Sequence, residues 1–335
     1  ATKDEFLNIL KLVAPGTLLR SAIDGVVEAK KGGLIVLENE ITEKIVDGGF
    51  KMNTKFTPQK LIELAKMDGA IVLSKDAKRI IQANVTLVPD GKIHSEETGT
   101  RHKAAERTAK MTGTLTIAVS ERKNHINIYY KDLKYHLRDK SETLRSANET
   151  LQLLEKQREL FDLNVERLDY LEILNDLNIV QATKVIQKGK IMEKILASQE
   201  KTIIELGNEA LALKFRIKEL MRGVERETDL IIKDYTNLNL KKSKTLLSNL
   251  TYDELLDLEN IMLTLAQNQN NAVNQVSGWR MLSKTSLPDG DVRLLLDTMR
   301  NLNNILEADK EDFEKIVGPE KAIVMTKEIQ RIKNQ

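Results

Sequence analysis

The sequence of 335 residues contains no cysteine, five prolines and only 4% aromatic residues. Without cysteine, disulfide bonds, thiolate metal sites and cysteine nucleophiles are excluded, and a reducing cytoplasm is the expected setting. No apolar run approaches the roughly 18 residues needed to cross a bilayer. The first five residues carry acidic side chains where a signal peptide would be basic. We therefore expect a soluble cytoplasmic protein with no membrane partner.

The chain also lacks an excess of charge of either sign, because 52 lysines and arginines face 50 acidic residues. This balance gives no evidence of a globally basic nucleic-acid binder, so any basic surface must be local. The length suffices for two or three domains with a sizeable core.

The pattern of apolar residues changes near residue 135. Before it, helical patterns alternate with short apolar runs, which predicts an α/β domain with a mixed sheet flanked by helices. After it, apolar residues recur at helical spacing with breaks near 175–178 and Gly207, which predicts an all-α linker bundle. We divide the chain into domains 1–135, 136–275 and 276–335. Strands are predicted at Leu34–Leu37, Ile41–Val46, Ala70–Leu73, Arg79–Val88, Leu115–Val119 and Ile126–Tyr130.

The segment Gly99–Lys103 opens a run rich in Ala, Lys, Arg and Glu that ends at Gly113, and this composition predicts a helix. Thr100 is the expected N-cap. Arg101 and Lys103 add positive charge at the end of the helix where backbone N–H groups are unpaired, an arrangement suited to a phosphate chain. A solvated basic turn is the alternative that these residues leave open.

A second segment, Asp68-Gly69-Ala70, leads directly into a predicted strand. The glycine allows a flat ligand to approach the backbone, and the aspartate carboxylate is a hard ligand suited to Mg²⁺ or Mn²⁺. A lone aspartate before a strand is usually a cap or turn residue. Together with a phosphate cradle, however, it suggests a nucleotide site.

The two segments, Asp68–Ala70 and Ser95–Arg107, resemble the paired motifs of diadenylate cyclases, and Pro15–Arg20 and Gly33–Leu37 resemble the opening of that domain. The order and spacing match over most of residues 1–135. The long helical linker and helical C-terminal segment narrow the resemblance to the diadenylate cyclases of the DNA integrity scanning family.

The resemblance implies that two ATP molecules condense into cyclic di-AMP with release of two pyrophosphates. Because each ATP offers its 3′-hydroxyl to the α-phosphate of the other, a face-to-face dimer of catalytic domains is implied. In the family such dimers assemble further into an octamer. Mg²⁺ or Mn²⁺ is the implied cofactor.

The resemblance also implies which residues act. Asp68 is the implied metal ligand and lies near the attacking hydroxyl; whether it also removes the proton is left open. Lys103 and Ala104 depart from the family, which usually has arginine and threonine there, so weaker phosphate binding is expected. The implied catalytic residues are Asp68, Arg101 and His102, and the implied nucleotide-binding residues are Asp68, Gly69, Ala70, Leu87, Gly99, Thr100, Arg101, His102, Lys103, Ser120 and Lys123.

Residues 276–335 resemble the helix-hairpin-helix region of the same family, whose glycine-rich turn contacts DNA phosphates. The implied DNA contacts are Lys284, Gly318 and Lys321, and the implied partners are branched DNA or recombination intermediates. Only one of the usual two glycines is present, and Pro319 removes a backbone donor. A small helical packing domain is the alternative.

Two hypotheses of different class follow. The first is an active diadenylate cyclase regulated by branched DNA through the C-terminal region. The second is a catalytically silent nucleotide-binding assembly protein that scaffolds DNA or repair partners. The intact motifs at Asp68–Ala70 and Thr100–His102 favour the first. The remaining histidines, His94, His125 and His136, are expected to be ordinary side chains on separate elements.

Overall fold

The computed structural model describes residues 2–122, 125–266 and 274–334. The chain divides into two compact units. The first contains Ala1–Asn148 and Gln199–Lys214, and the second contains Glu149–Ser198 and Phe215–Gln335. No helix in the described part is long and apolar enough to span a membrane.

Within its described residues, the first unit contains eight strands and four complete helices. The helices are α1 (Lys3–Leu12), α2 (Leu18–Glu28), α3 (Pro58–Leu64) and α4 (Thr100–Thr112). The strands are β1 (Gly33–Leu37), β2 (Val46–Asp47), β3 (Phe50–Lys55), β4 (Ala70–Leu73), β5 (Arg79–Leu87), β6 (Thr116–Val119), β7 (Ile126–Tyr130) and β8 (Leu133–Leu137).

The strands form one mixed sheet in the order β2-β5-β4-β1-β6-β7-β8, and β3 also pairs with β5. Strands β1 and β4 are parallel, and the other pairs are antiparallel. Because side chains alternate along a strand, Ile35 and Ile71 pack with α1, α2 and α3, whereas Val36 and Val72 share the opposite core with α4. The predicted mixed sheet flanked by helices is confirmed.

One predicted strand is wrong. Thr42–Lys44 forms a turn of 3₁₀ helix, and the strand β2 comprises only two residues. The side-chain oxygen of Asn39 explains the difference, since it accepts hydrogen bonds from the backbone N–H groups of Ile41 and Thr42 at 3.1 and 2.9 Å. Such a local bond competes with strand pairing.

Three α-helices follow the sheet, and the first two of them are long. They are α5 (Lys140–Ile173), α6 (Ile179–Leu206) and α7 (Ala210–Met221). The breaks between them fall at 174–178 and at the turn beginning at Gly207, as predicted. In its described residues the second unit is helical throughout, which confirms the helical character predicted after the sheet.

The remaining helices of the second unit have 4 to 15 residues. They are α8 (Val224–Tyr235), α9 (Leu240–Asn249), α10 (Tyr252–Leu256), α11 (Leu258–Thr264), α12 (Trp279–Leu282), α13 (Asp289–Met299), α14 (Leu302–Glu307), α15 (Lys310–Val317) and α16 (Pro319–Lys333). Their apolar faces join those of α5, α6 and α7 in one extended core.

Candidate active site

The N-terminus of α4 has no side-chain cap. Gly99 is the N-cap, with extended backbone at φ −80° and ψ 138°. The prediction that Thr100 caps the helix is wrong, because Thr100 is already its first helical residue. At the other end Gly113 adopts φ +69° and closes the helix as predicted. The first backbone N–H groups of α4 therefore receive no bond from a capping side chain and can bind an anion.

A cavity of about 570 Å³ lies at this helix tip. It contains Gly99, Thr100, Arg101, His102 and Ser120, which the sequence assigned to the nucleotide. Its other lining residues were not predicted, and they are Glu97, Thr98, Glu121, Arg122, His125 and Asn127.

The segment Asp68–Ala70 does not line this cavity, but the sheet register brings it to the same edge. In the parallel pair β1–β4, Ile35 lies opposite Ile71, so Gly32, just before β1, and Asp68, shortly before β4, come at the same end of the sheet. The guanidinium of Arg101 packs against Gly32, where a Cβ atom would lie 2.1 Å from Nη1. Arg101 therefore lies at the start of β1, and the neighbouring strand β4 starts at the same end of the sheet, shortly after Asp68.

Two further predicted residues lie on that edge. Ser120 follows the last residue of β6, which pairs with the first residue of β1. Leu87 ends β5, two residues beyond the partner of Ala70, so it lies at the end of the sheet where β4 begins just after Asp68 and Gly69. The edge thus carries, in strand order, Leu87, Asp68, Arg101 against Gly32, and Ser120. We call these four residues the nucleotide edge.

The backbone conformation at position 69 requires glycine. It adopts φ +91°, and a Cβ atom there would lie 2.8 Å from the carbonyl oxygen of Val85. This close contact seats the start of β4 against β5. Asp68 is left exposed before the strand, and its carboxylate has no hydrogen bond or ion pair within the described residues.

The donor set for a metal is small. In the described residues, no group of three His, Asp or Glu side chains could hold a metal ion. A single exposed carboxylate at Asp68 nevertheless fits Mg²⁺ or Mn²⁺ brought by a nucleotide, because Mg²⁺ is commonly held by one or two carboxylates together with substrate phosphates.

An acidic residue in the helix-tip cavity is neutralised by its neighbours. The Oε1 atom of Glu97 accepts the hydroxyl of Tyr129 at 2.7 Å and pairs with Nζ of Lys134 at 2.6 Å. Burial opposes ionisation, but the bonds from Lys134 and Tyr129 hold the pKa of Glu97 below its usual range. Burial also lowers the pKa of His102, although Glu97 partly opposes this, and the lowered pKa favours the neutral imidazole.

The loop before α4 is tied to the helix by polar contacts. Glu106 accepts the hydroxyl of Ser95 at 2.5 Å and pairs with Lys110 at 2.8 Å. Arg107 donates to the carbonyl oxygen of Ile93 at 2.8 Å. These bonds hold the helix tip in place before any ligand arrives.

His125 and His136, treated as unrelated in the sequence, come together across the β7–β8 hairpin. Their ring centroids are 4.6 Å apart in an edge-to-face arrangement. Nδ1 of His136 lies 2.9 Å from Oδ1 of Asn127. Burial, with the nearby His125, lowers the pKa of His136. Recognising this pair from the sequence would have required β8, which was not predicted.

One predicted nucleotide-binding residue does not line the cavity, and another falls outside the described residues. Lys103 is half-buried in the first turn of α4 but does not line the cavity. Lys123 lies outside the described residues.

The residues predicted to bind DNA are occupied by contacts within the second unit. Lys284 pairs with Asp169 at 2.7 Å, and Lys321 pairs with Asp291 at 2.8 Å. Gly318 adopts φ +83° at the junction of α15 and α16, which pack against each other as a helical hairpin. Lys321 on α16 and Lys284, which follows α12, thus already have carboxylate partners.

Sequence reasoning missed the largest ionic cluster of this unit. Arg280 is fully buried and donates to Asp169, to Glu227 at 2.9 Å and to Glu172 at 2.5 Å. Asp234 accepts the backbone N–H groups of residues 278–280 at 2.9 to 3.1 Å. Because the partners are up to 111 residues apart, no local pattern reports this cluster.

Comparison with models of known protein families first defines the class of protein to which the chain belongs. Residues 20–133 match the nucleotide-binding domain of the DisA bacterial checkpoint controller, and residues 137–274 match its linker region. The chain thus combines that nucleotide-binding domain with that helical linker.

Whole-chain relatives then define the family. The chain is 36% identical to the DNA integrity scanning protein DisA of Clostridium botulinum (strain Loch Maree / Type A3), over 99% of this chain and 96% of that protein. Identities to the proteins of the same name from Clostridium acetobutylicum and Clostridium kluyveri are 37% and 38%, each over 99% of this chain and over 95% and 96% of those proteins. The chain belongs to the DNA integrity scanning protein DisA family, which confirms the family resemblance seen in the sequence.

Proposed function

We propose that this protein is a diadenylate cyclase that condenses two ATP molecules into cyclic di-AMP and releases two pyrophosphates. The observation that supports this most strongly is the nucleotide edge, which lies beside the uncapped tip of α4. It combines an unpaired carboxylate, Asp68, with a helix end that offers free N–H groups and the cation of Arg101.

The order of residues along the edge suggests how ATP is held. From Leu87 to Ser120 the edge spans three inter-strand spacings, or about 14 Å. The base lies at the backbone of Leu87, the ribose 3′-hydroxyl lies near Asp68, and the phosphates extend over the α4 tip to Ser120. The ATP is thus laid across the strand ends rather than along a strand.

The reaction forms a bond between the 3′-oxygen of one ATP and the α-phosphorus of the other, and breaks the bond from that phosphorus to the β-phosphate oxygen. Arg101, neutral His102 and the α4 N–H groups bind phosphate oxygens and orient them, which is where most of the rate of such a transfer arises. Asp68 would hold Mg²⁺ or Mn²⁺, and the cation when bound offsets phosphate charge.

One protomer holds one ATP, so two nucleotide edges must face each other across a symmetric dimer. We propose this dimer as the catalytic unit and an octamer as the assembled form. We further propose that branched DNA regulates the reaction and is bound by Gly318 and Lys321 of the α15–α16 hairpin together with Lys284, which follows α12.

Incubation of the full chain with ATP and Mn²⁺ or Mg²⁺ tests the activity. Cyclic di-AMP should form, and Asp68→Asn should abolish it without changing the unfolding temperature. Asp132→Asn, an exposed aspartate in the β7–β8 turn, is the matched control and should keep wild-type activity.

The competing function, a catalytically silent nucleotide-binding assembly protein, gives a different result. ATP would then bind with an affinity that depends on Arg101, while no cyclic dinucleotide would appear at protein concentrations where the dimer persists.

A further inference from the structure

A second cavity lies in the first unit, away from the nucleotide edge. Its volume is about 490 Å³. Its floor is formed by Val72 of β4 and by Ile81 and Gln82 of β5, and Glu38, directly after β1, stands at its side. The other lining residues are Thr42, Glu43, Val46, Gly48, Lys51 and Asn53.

The position of this cavity separates it from the proposed ATP site. Val72 lies within β4, four residues after Asp68, which precedes the strand. Glu38 follows the carboxyl end of β1, whereas the nucleotide edge lies at the opposite end of the same strand. Crevices at the carboxyl ends of parallel strands are common ligand sites in α/β sheets.

The apolar residues of the cavity lie beside the core that α4 covers, where Val72 is buried and Ile81 is half-buried. Val72 belongs to the core that α4 covers, and Ile81 packs at the margin of that core. Helix α4 packs on β1, β6 and β7, so the neighbouring strands β4 and β5 leave their outer part to this cavity. Pairing of β4 with β5 is irregular between Ala70 and Leu73, a feature often found beside functional sites.

Three charged side chains line the cavity, Glu38, Glu43 and Lys51, and none of them forms an ion pair within the described residues. The carboxylate of Glu38 is only partly exposed and has no ion pair within the described residues. Burial, and next the carboxylates of Glu43 and Asp76, raise its pKa. Lys51 is exposed, and within the described residues it has no carboxylate within ion-pair distance.

The charges exclude some ligands. Two carboxylates, Glu38 and Glu43, against the single cation of Lys51 disfavour a nucleotide or another polyanion. A bare metal ion is disfavoured as well, because the cavity is far larger than an ion and the described residues contain no group of three metal ligands. A cation with an apolar body satisfies both the carboxylates and the floor.

We propose that this cavity binds a small organic cation, an ammonium or guanidinium group on a short apolar chain, through Glu38 and Glu43. The cation lies between the two carboxylates, and its methylene groups contact Val72 and Ile81. The proposal does not depend on the activity at the nucleotide edge.

Titration calorimetry of the full chain with agmatine, at constant ionic strength, tests the proposal. Agmatine carries a guanidinium and an ammonium group on four methylene groups, and one molecule should bind per chain. Glu38→Gln should weaken binding at least tenfold, and Glu43→Gln, in an exposed turn, should weaken it several-fold. Glu40→Gln, an exposed glutamate outside the cavity, should bind agmatine as the wild type does.

The absence of saturable binding to the wild type would overturn the proposal. So would wild-type affinity in both Glu38→Gln and Glu43→Gln, or an equal loss in the Glu40→Gln control, which would indicate only general attraction of a cation. Circular dichroism of each variant tests whether it is folded. If Glu38→Gln does not fold, the affinity of Glu43→Gln for agmatine tests the proposal.

Discussion

The tip of α4 and the C-terminal helices use cationic side chains in opposite ways. At the α4 tip, Arg101 packs on a glycine and has no ion pair within the described residues. In the second unit, Arg280, Lys284 and Lys321 all have carboxylate partners. A cation that has no ion pair and lies beside free N–H groups indicates a ligand site. A cation that is already surrounded by carboxylates indicates a role in packing of the fold. The sequence shows both kinds only as basic residues.

The largest expected effect is on stability. Arg280→Met leaves the buried carboxylate of Glu172 without its partner, and breaking a buried pair in this way costs about 3 to 5 kcal/mol. Urea denaturation should show this loss, with the helical second unit unfolding first. Lys310→Met removes an exposed pair on α15 and is the control. A loss below about 1 kcal/mol for Arg280→Met would mean that the cluster does not stabilise the fold.

The next largest effect concerns Arg101, the cation without an ion pair within the described residues. Gly32→Ala places a methyl group where the Arg101 guanidinium lies, so the guanidinium must move while the backbone stays. Displacing a phosphate-orienting group by about an ångström should reduce cyclic di-AMP formation roughly 10- to 100-fold. Gly91→Ala, where a Cβ atom meets nothing within 4 Å, is the control. Unchanged turnover in Gly32→Ala would remove Arg101 from the site.

A smaller effect should depend on pH. Because the pKa of Glu97 is lowered in the folded protein, its stabilising contribution is complete above the ordinary value of 4.5 and is lost as the pH falls through the folded pKa. Glu97→Gln should therefore cost about 2 kcal/mol at pH 7 and progressively less in acid. Unfolding curves recorded at pH 7 and in acid measure this loss of stability. The exposed Glu96→Gln is the control. A loss that is independent of pH would contradict the ionic role.

The smallest effect tests whether the paired lysines still serve DNA. Lys321→Met should change the free energy of unfolding by less than about 1 kcal/mol, because the lysine of this pair is largely exposed. If Lys321 exchanges Asp291 for a DNA phosphate, the salt dependence of branched-DNA binding should fall by about one unit of slope. An unchanged slope would leave the hairpin as a packing element.

Much of the first unit could be predicted from the sequence because its signals are local. The strands Ala70–Leu73 and Ile126–Tyr130 are short apolar runs, and they occur with the predicted bounds. The helix stop at Gly113 follows from the left-handed backbone that glycine favours. Strands β3 and β8 were missed because polar residues interrupt their apolar pattern.

What could not be predicted depends on distant partners or on competing side chains. Asn39 captures backbone N–H groups that a strand would have used, and the register alone brings Leu87 and Ser120 to the edge that carries Asp68. The buried partners of Arg280 are distant in sequence. Assignment of Asp68 and Arg101 to one site came from the family resemblance, and the register supplies a physical reason for it.

The most direct test of the nucleotide edge is a crystal structure of the full chain with a non-hydrolysable ATP analogue and Mg²⁺. The account predicts phosphate oxygens within hydrogen-bond distance of Arg101 and the first N–H groups of α4, with the base at Leu87 and the 3′-hydroxyl near Asp68. An analogue bound in the second cavity, or anywhere that leaves Asp68 and the α4 tip free, would contradict it.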